Sequence, residues 1–110
     1  MDPFDWTWLM DNCAHDEALV REVLSVFRRE APPLLAEVRG AVKAHDAPGI
    51  KRSAHRLKGA LVTIGARPSV AAAVLLETSA RDGDLSDADL GLAHLEFEMH
   101  LLLRAVAPGT

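Results

Sequence analysis

Apolar residues recur at three- and four-residue intervals along most of the chain, the period of a helix and not of a strand. The longest series is Leu19, Val20, Val23, Leu24, Phe27, Ala31, Leu34, Leu35, Val38, Ala41 and Val42. His15 or Asp16 can cap its start, aspartate being much the better N-cap. Pro32-Pro33 interrupts the series and removes the amide donors toward Arg28 and Arg29. The stripe nevertheless continues in register, which predicts one kinked helix in place of two. Asp46-Ala47-Pro48-Gly49 then reads as a stop and restart, with Asp46 as N-cap and Pro48 in the first turn. The next helix ends near Gly65, a C-cap candidate, and has Ile50, Leu57 and Ile64 on its apolar back. Pro68 opens another, from about Arg67 to Arg81, with Val70, Val74 and Glu77 at helical spacing and Asp82-Gly83-Asp84 as its stop.

Ser86, with Asp89 three residues on, makes a start resembling a capping box. The last helix should run to about Ala107, before Pro108-Gly109. It carries two apolar series: Leu92, Leu95, Met99, Leu102 and Val106, and also Leu90, Ala93, Phe97 and Leu101. A helix apolar on so much of its surface is expected to be covered on both sides, by the N-terminal segment or by a partner. That segment, Phe4 to Cys13, holds Phe4, both tryptophans (Trp6 and Trp8), Leu9 and Met10. It reads as a short helix lying across the bundle as an apolar lid that buries the indoles. The fold expected is all-α: an antiparallel up-down four-helix bundle with a short additional N-terminal helix.

A length of 110 residues favours a single domain, 1–110, with its core at about 4–107. At 49% hydrophobic residues the chain has enough for one core without disulfides or metal. Aromatics make up only 5%, with no tyrosine, which again favours helix over sheet. The net charge of −4 argues against a general nucleic-acid binder. A single cysteine, Cys13, excludes an internal disulfide and suits a reducing cytosol. The first residues lack the basic start and apolar run of a targeting segment. No run of about 18 apolar residues suggests membrane insertion, so a cytoplasmic location is expected, including that of a cytoplasmic end piece of a membrane-bound kinase.

The candidate chemistry lies in Ala54-His55-Arg56-Leu57-Lys58-Gly59-Ala60. Each helical residue advances roughly 100°. Lys51, Arg52, Lys58, Gly59 and Val62 therefore share the side of His55, opposite Ile50, Leu57 and Ile64. Cations beside a histidine do not favour its protonation, but ammonium and guanidinium groups hold phosphate well. Gly59 is costly inside a helix, by about 1 kcal/mol relative to alanine. A bare backbone there makes sense if something large must approach the imidazole. Elsewhere, His94 with Glu98 and Glu96 with His100 have a chelating spacing but no evident third ligand. There is no H-E-x-x-H, no glycine-rich phosphate loop and no Walker lysine, so no means of binding ATP is visible.

Ala54-His55-x-Leu57-Lys58-Gly59, followed by Ile64-Gly65-Ala66, closely resembles the histidine-phosphotransfer (HPt) domains of multistep phosphorelays. The resemblance runs from about Phe4 to Val106 and includes Leu76-Glu77 and Ala80-Arg81-Asp82-Gly83-Asp84. Ala60, Leu61 and Val62 stand where small or polar residues often follow the glycine, and Thr63 where asparagine is frequent. The resemblance implies a phosphoryl carrier and not an enzyme in its own right. His55 would accept the group from an aspartyl phosphate on a receiver domain, through Nε2 of the neutral ring, and pass it on or return it. Lys58 would steady the phosphoryl oxygens, with Lys51 or Arg52 adding attraction. Gly59 would leave room for the receiver and Val62 would touch it. The partners implied are receiver domains of response regulators or of a hybrid sensor kinase, which supply the aspartate and Mg²⁺; no cofactor is expected in this chain. A monomer is expected. Two rivals compete with this reading: a phosphate-independent helical docking module, supported by the apolar last helix, and a dimerising kinase domain, opposed by the missing ATP-binding domain.

Overall fold

The computed structural model describes residues 2–108 and consists of five helices joined by short links. Met1, Gly109 and Thr110 lie outside the described residues, so Gly109 as a stop for the last helix does too. In chain order the helices are α1 (Trp6–Asn12), α2 (Glu17–Lys43), α3 (Ala47–Thr63), α4 (Arg67–Arg81) and α5 (Ala88–Ala105). Among the described residues there is no strand. The four long helices form a ring in the order α2, α3, α4, α5, with α5 closing back on α2. Thus α3 and α5 stand at opposite corners.

Local sequence explains most of the boundaries. The Asp16 carboxylate accepts the amides of Ala18 and Leu19 at the start of α2, while His15 sits at φ 59° in the preceding turn. Asp46 accepts the Gly49 amide and starts α3. α2 passes through Pro32-Pro33 as one helix of 27 residues. Both prolines are exposed, so water can solvate the carbonyls that lose their donors. The α3–α4 link turns at Gly65, with φ 68°, and a Cβ there would stand 3.1 Å from the Trp8 ring. Glycine is needed at this position for both its backbone conformation and its size.

The core is the set of inward faces the periodicity marks: Val20, Phe27, Val38, Ile50, Leu57, Leu61, Leu95, Met99 and Leu102 are all buried. Burial of this apolar surface is the main favourable term for such a bundle. Arg28 Nη1 donates to the Val106 carbonyl at 2.8 Å and ties α2 to the end of α5.

Four expectations are corrected. Ser86 is not the cap of α5. Asp87 occupies that position without a side-chain hydrogen bond, and the Ser86 hydroxyl donates to Asp84 instead. α5 ends at Ala105, not at about Ala107. In α4 the buried stripe is Ser69, Ala72, Ala73, Leu76 and Ala80, and Val74 is exposed. The lid buries only part of its own apolar surface: α1 crosses the end of the bundle near Gly65 and Ala105, and Trp6 stays 51% exposed. It does not reach the second apolar face of α5, where Leu90, Phe97 and Leu101 are bare.

Candidate functional site

α3 presents His55 at the middle of the bundle wall, 65% exposed at its side chain. The buried residues on either side of it in register, Ala54 and Leu57, fix the rotation of the helix. Its imidazole is held from the neighbouring helix. His55 Nδ1 lies 2.7 Å from Oε2 of Glu77 on α4, and Lys58 Nζ donates to Oε1 of the same carboxylate at 2.8 Å. Glu77 is only 16% exposed at its side chain. The Lys58 hydrogen bond, aided by the one from His55, holds the Glu77 carboxyl below its usual range despite the opposing cost of burial. It is therefore an ionised acceptor at neutral pH.

A carboxylate can only accept. The 2.7 Å pairing therefore places the imidazole proton on Nδ1 and leaves the lone pair of the neutral ring on Nε2. The ring is fixed in orientation and in tautomer by one partner, and the other nitrogen is left for chemistry. Lys58 is 27% exposed at its side chain and held beside the imidazole by the same anion.

The remaining residues of the basic front are placed unequally. Lys51 and Val62 are exposed on the same face as His55, one turn before it and two turns after. Arg52 lies on the other flank of α3, lining a cleft toward α2 with Glu37, Asp46 and Arg56. It is not part of the His55–Glu77–Lys58 cluster. Arg56 pairs with Glu37 across that flank at 2.8 Å. Gly59 is exposed, and a Cβ added there would meet nothing within 4 Å. Gly59 lines an open cleft toward α2 with Pro33, Leu34 and Arg56, and no described residue comes close enough to require a glycine there, so internal packing does not explain it.

Glu77 is the site residue that sequence reasoning missed as such. It appears in the sequence only as one position of a helical series and part of a familiar pattern. The available signal was an acid two turns after the half-buried Val70 and next to the buried Leu76, at the rim of the inward face, where a half-buried carboxylate needs a cation. Of the chelating pairs on α5, Glu96 is taken by Arg39 at 2.6 Å, and His94 stands 3.8 Å from Glu98.

A family model described as the Hpt domain matches residues 22–107. The chain belongs to the histidine-containing phosphotransfer family. It functions in histidine phosphotransfer within a phosphorelay, and the phosphate-independent docking reading is not favoured. Two solved structures share its fold. Histidine-containing phosphotransfer protein B from Pseudomonas aeruginosa PAO1 superposes with a TM-score of 0.87 at 25% identity, over 94% of this chain and 90% of that one. The HPT domain of a sensor hybrid histidine kinase from Shewanella gives 0.81 at 19% identity, again over 94% and 90%. No curated protein matches the sequence. HPt domains work with receiver domains and hybrid kinases, and membership of the family carries that general partnership. No described helix of this chain is long and apolar enough to cross a membrane.

Proposed function

We propose that His55 Nε2 is the phosphoryl acceptor, that Lys58 stabilises the transferring group, and that Glu77 holds the ring for attack. The observation that carries this reading is the one half-buried carboxylate that joins His55 Nδ1 and Lys58 Nζ, with Nε2 of the exposed ring engaged by no described residue. The Nε2 lone pair attacks the phosphorus of an aspartyl phosphate on the receiver. The Nε2–P bond forms as the acyl P–O bond breaks, and that electron pair leaves on the aspartate oxygen. No proton has to move, because Nδ1 keeps its hydrogen throughout. The ring gains positive charge as it attacks, and the Glu77 carboxylate faces that charge at 2.7 Å. Lys58 is placed to turn toward the phosphoryl oxygens as charge spreads over them. The receiver brings the aspartate and Mg²⁺, and this chain contributes the histidine, its orientation and one cation. Lys51, Gly59 and Val62 form the part of the docking face beside His55, and Arg52 extends it on the α2 side. The working site is cytoplasmic in this reading, because receivers and their kinases act there.

Substitution of the acceptor tests the proposal. His55→Gln should take up no phosphate from a phosphorylated receiver, with an unchanged helical signal by circular dichroism, since the side chain faces solvent. In the wild-type chain the bound phosphate should be acid-labile and base-stable, as a phosphoramidate is. Normal labelling of His55→Gln would refute the assignment.

A further inference from the structure

α5 stands at the corner of the bundle opposite α3, so its outward face looks away from His55. That face carries Leu90, Phe97 and Leu101, which are 72%, 59% and 39% exposed. With Asp87, His94 and Arg104 they recur at alternating steps of three and four, the a/d rhythm of a coiled-coil seam. Among the described residues nothing buries them, and α1 lies near α5 beside Ala105, at the far end of the helix.

We propose that this face is a dimerisation seam between two copies of this chain, with the α5 helices packed antiparallel about a two-fold axis between residues 95 and 96. The charge pattern selects both the occupant and the direction. About that axis Leu90 packs against the partner's Leu101, and Phe97 against the partner's His94. Asp87 at one end meets the partner's Arg104, and the same ion pair repeats at the other end. Parallel pairing would set Asp87 on Asp87 and Arg104 on Arg104, which is repulsive. A face meant for an unrelated protein has no reason to be complementary to itself in this way.

The flanks obey the same two-fold. Leu75 of α4, exposed, lies beside Leu90 and His94 in a shallow cavity. Trp6, also exposed, lies beside Ala105 at the far end of α5. Ala105 and Asp87 fall on the same flank of the helix, so the axis brings Trp6 toward the partner's Leu75. One operation therefore covers the large apolar side chains that the fold leaves bare on this side. His55, on the opposite corner, stays open in the dimer.

Sedimentation equilibrium of the intact chain, from about 10 μM to about 1 mM, tests the proposal. A seam of one helix per subunit is smaller than the roughly 800 Å² per partner of a standard interface, so a weak dimer that dissociates within this concentration range is expected. Phe97→Glu should leave a monomer at every concentration with unchanged helical content. Asp87→Arg should weaken the dimer by about tenfold or more, and Asp87→Arg combined with Arg104→Asp should restore it. A wild-type chain that stays monomeric throughout overturns the proposal. So does a dimer indifferent to Phe97→Glu, or a charge reversal that the second reversal fails to rescue.

Discussion

Removing the Glu77 carboxylate should slow phosphoryl transfer at His55 while leaving the bundle folded. Glu77 accepts two hydrogen bonds, from His55 at 2.7 Å and from Lys58 at 2.8 Å. A hydrogen bond involving a charged group contributes about 1.5–3 kcal/mol. The bond to Nδ1 already exists before reaction, so only its strengthening as the ring becomes positive accelerates transfer. Solvent around the exposed imidazole screens part of that gain. About half of that remains, roughly 0.75–1.5 kcal/mol, which is about a four- to twelvefold slower step for Glu77→Ala. The effect on stability should be small. Alanine is the better helix former, and Lys58 can turn to water once its partner is gone.

Glu77→Gln refines the test. Its amide oxygen can still accept from Nδ1, but it brings no charge to face the imidazolium and holds Lys58 less firmly. It should fall between wild type and alanine. Rapid-quench transfer from a saturating phosphorylated receiver measures the chemical step apart from docking. Nitrogen chemical shifts of His55 report the tautomer: Nδ1–H should dominate in wild type and in Glu77→Gln, and Nε2–H should gain in Glu77→Ala. Wild-type rate together with an unchanged tautomer in Glu77→Ala would remove Glu77 from the mechanism.

Lys58→Ala should slow transfer by roughly 10- to 100-fold at most, since one charge-assisted hydrogen bond to the phosphoryl group is lost; an unchanged rate and an unchanged receiver affinity would mark Lys58 as a bystander that only neutralises Glu77. Gly59→Gln should keep or raise the melting temperature, by up to about 1 kcal/mol of helix propensity, because an added Cβ meets nothing within 4 Å. It should nevertheless weaken receiver binding and transfer together, and full transfer would refute the clearance argument. Acid should release α1: the Arg67 hydrogen bond, joined by the Trp8 amide, holds the Asp5 carboxyl below its usual 3.8. A depressed folded value means that Asp5 stabilises α1 docking above pH 3.8 and that this is lost as pH falls through the lower folded value. Tryptophan fluorescence should follow the change, and Arg67→Gln should move its midpoint upward; identical midpoints would exclude the pair as the anchor.

Much of this fold is visible in one dimension because the signals are local. Asp16, Asp46 and Gly65 act within a turn of their own positions, and the stripe from Leu19 to Val42 keeps register through the prolines. His55 and its basic neighbours are legible for the same reason, being neighbours on one helix. What escapes depends on the space between helices. The half-buried Glu77 reaches His55 across 22 positions, and only the α3–α4 register brings them together. Trp6 and the Leu90–Leu101 face escape for a related reason: hydrophobicity marks a surface that prefers to leave water, not which surface covers it. Arg52 shows the converse limit. It shares the general side of His55 on a helical wheel, yet about 60° of rotation is enough to send it into the α2 cleft.

The shared carboxylate also bears on reversibility. A relay intermediate must accept and release the same group with comparable ease, so stabilising only the loaded or only the empty state would stall it. In the proposed cycle Glu77 acts in both directions through one hydrogen bond. During uptake it faces the positive charge that appears on the ring. During release it keeps the proton on Nδ1, so that when the Nε2–P bond breaks the electron pair returns to Nε2 and imidazole departs as a neutral group. A ring stripped of that proton would have to leave as an imidazolate, a far poorer leaving group. Lys58 complements this by exchange. In this cycle it rests on Glu77 when phosphate is absent and turns toward the phosphoryl oxygens when phosphate arrives. The ring is fully positive once loaded and only partly so on the way, so Glu77→Ala should slow uptake more than return transfer and shift the equilibrium toward the phosphorylated receiver. Equal slowing in both directions, with an unmoved equilibrium, would show that the carboxylate does not face a charge that persists in the loaded state.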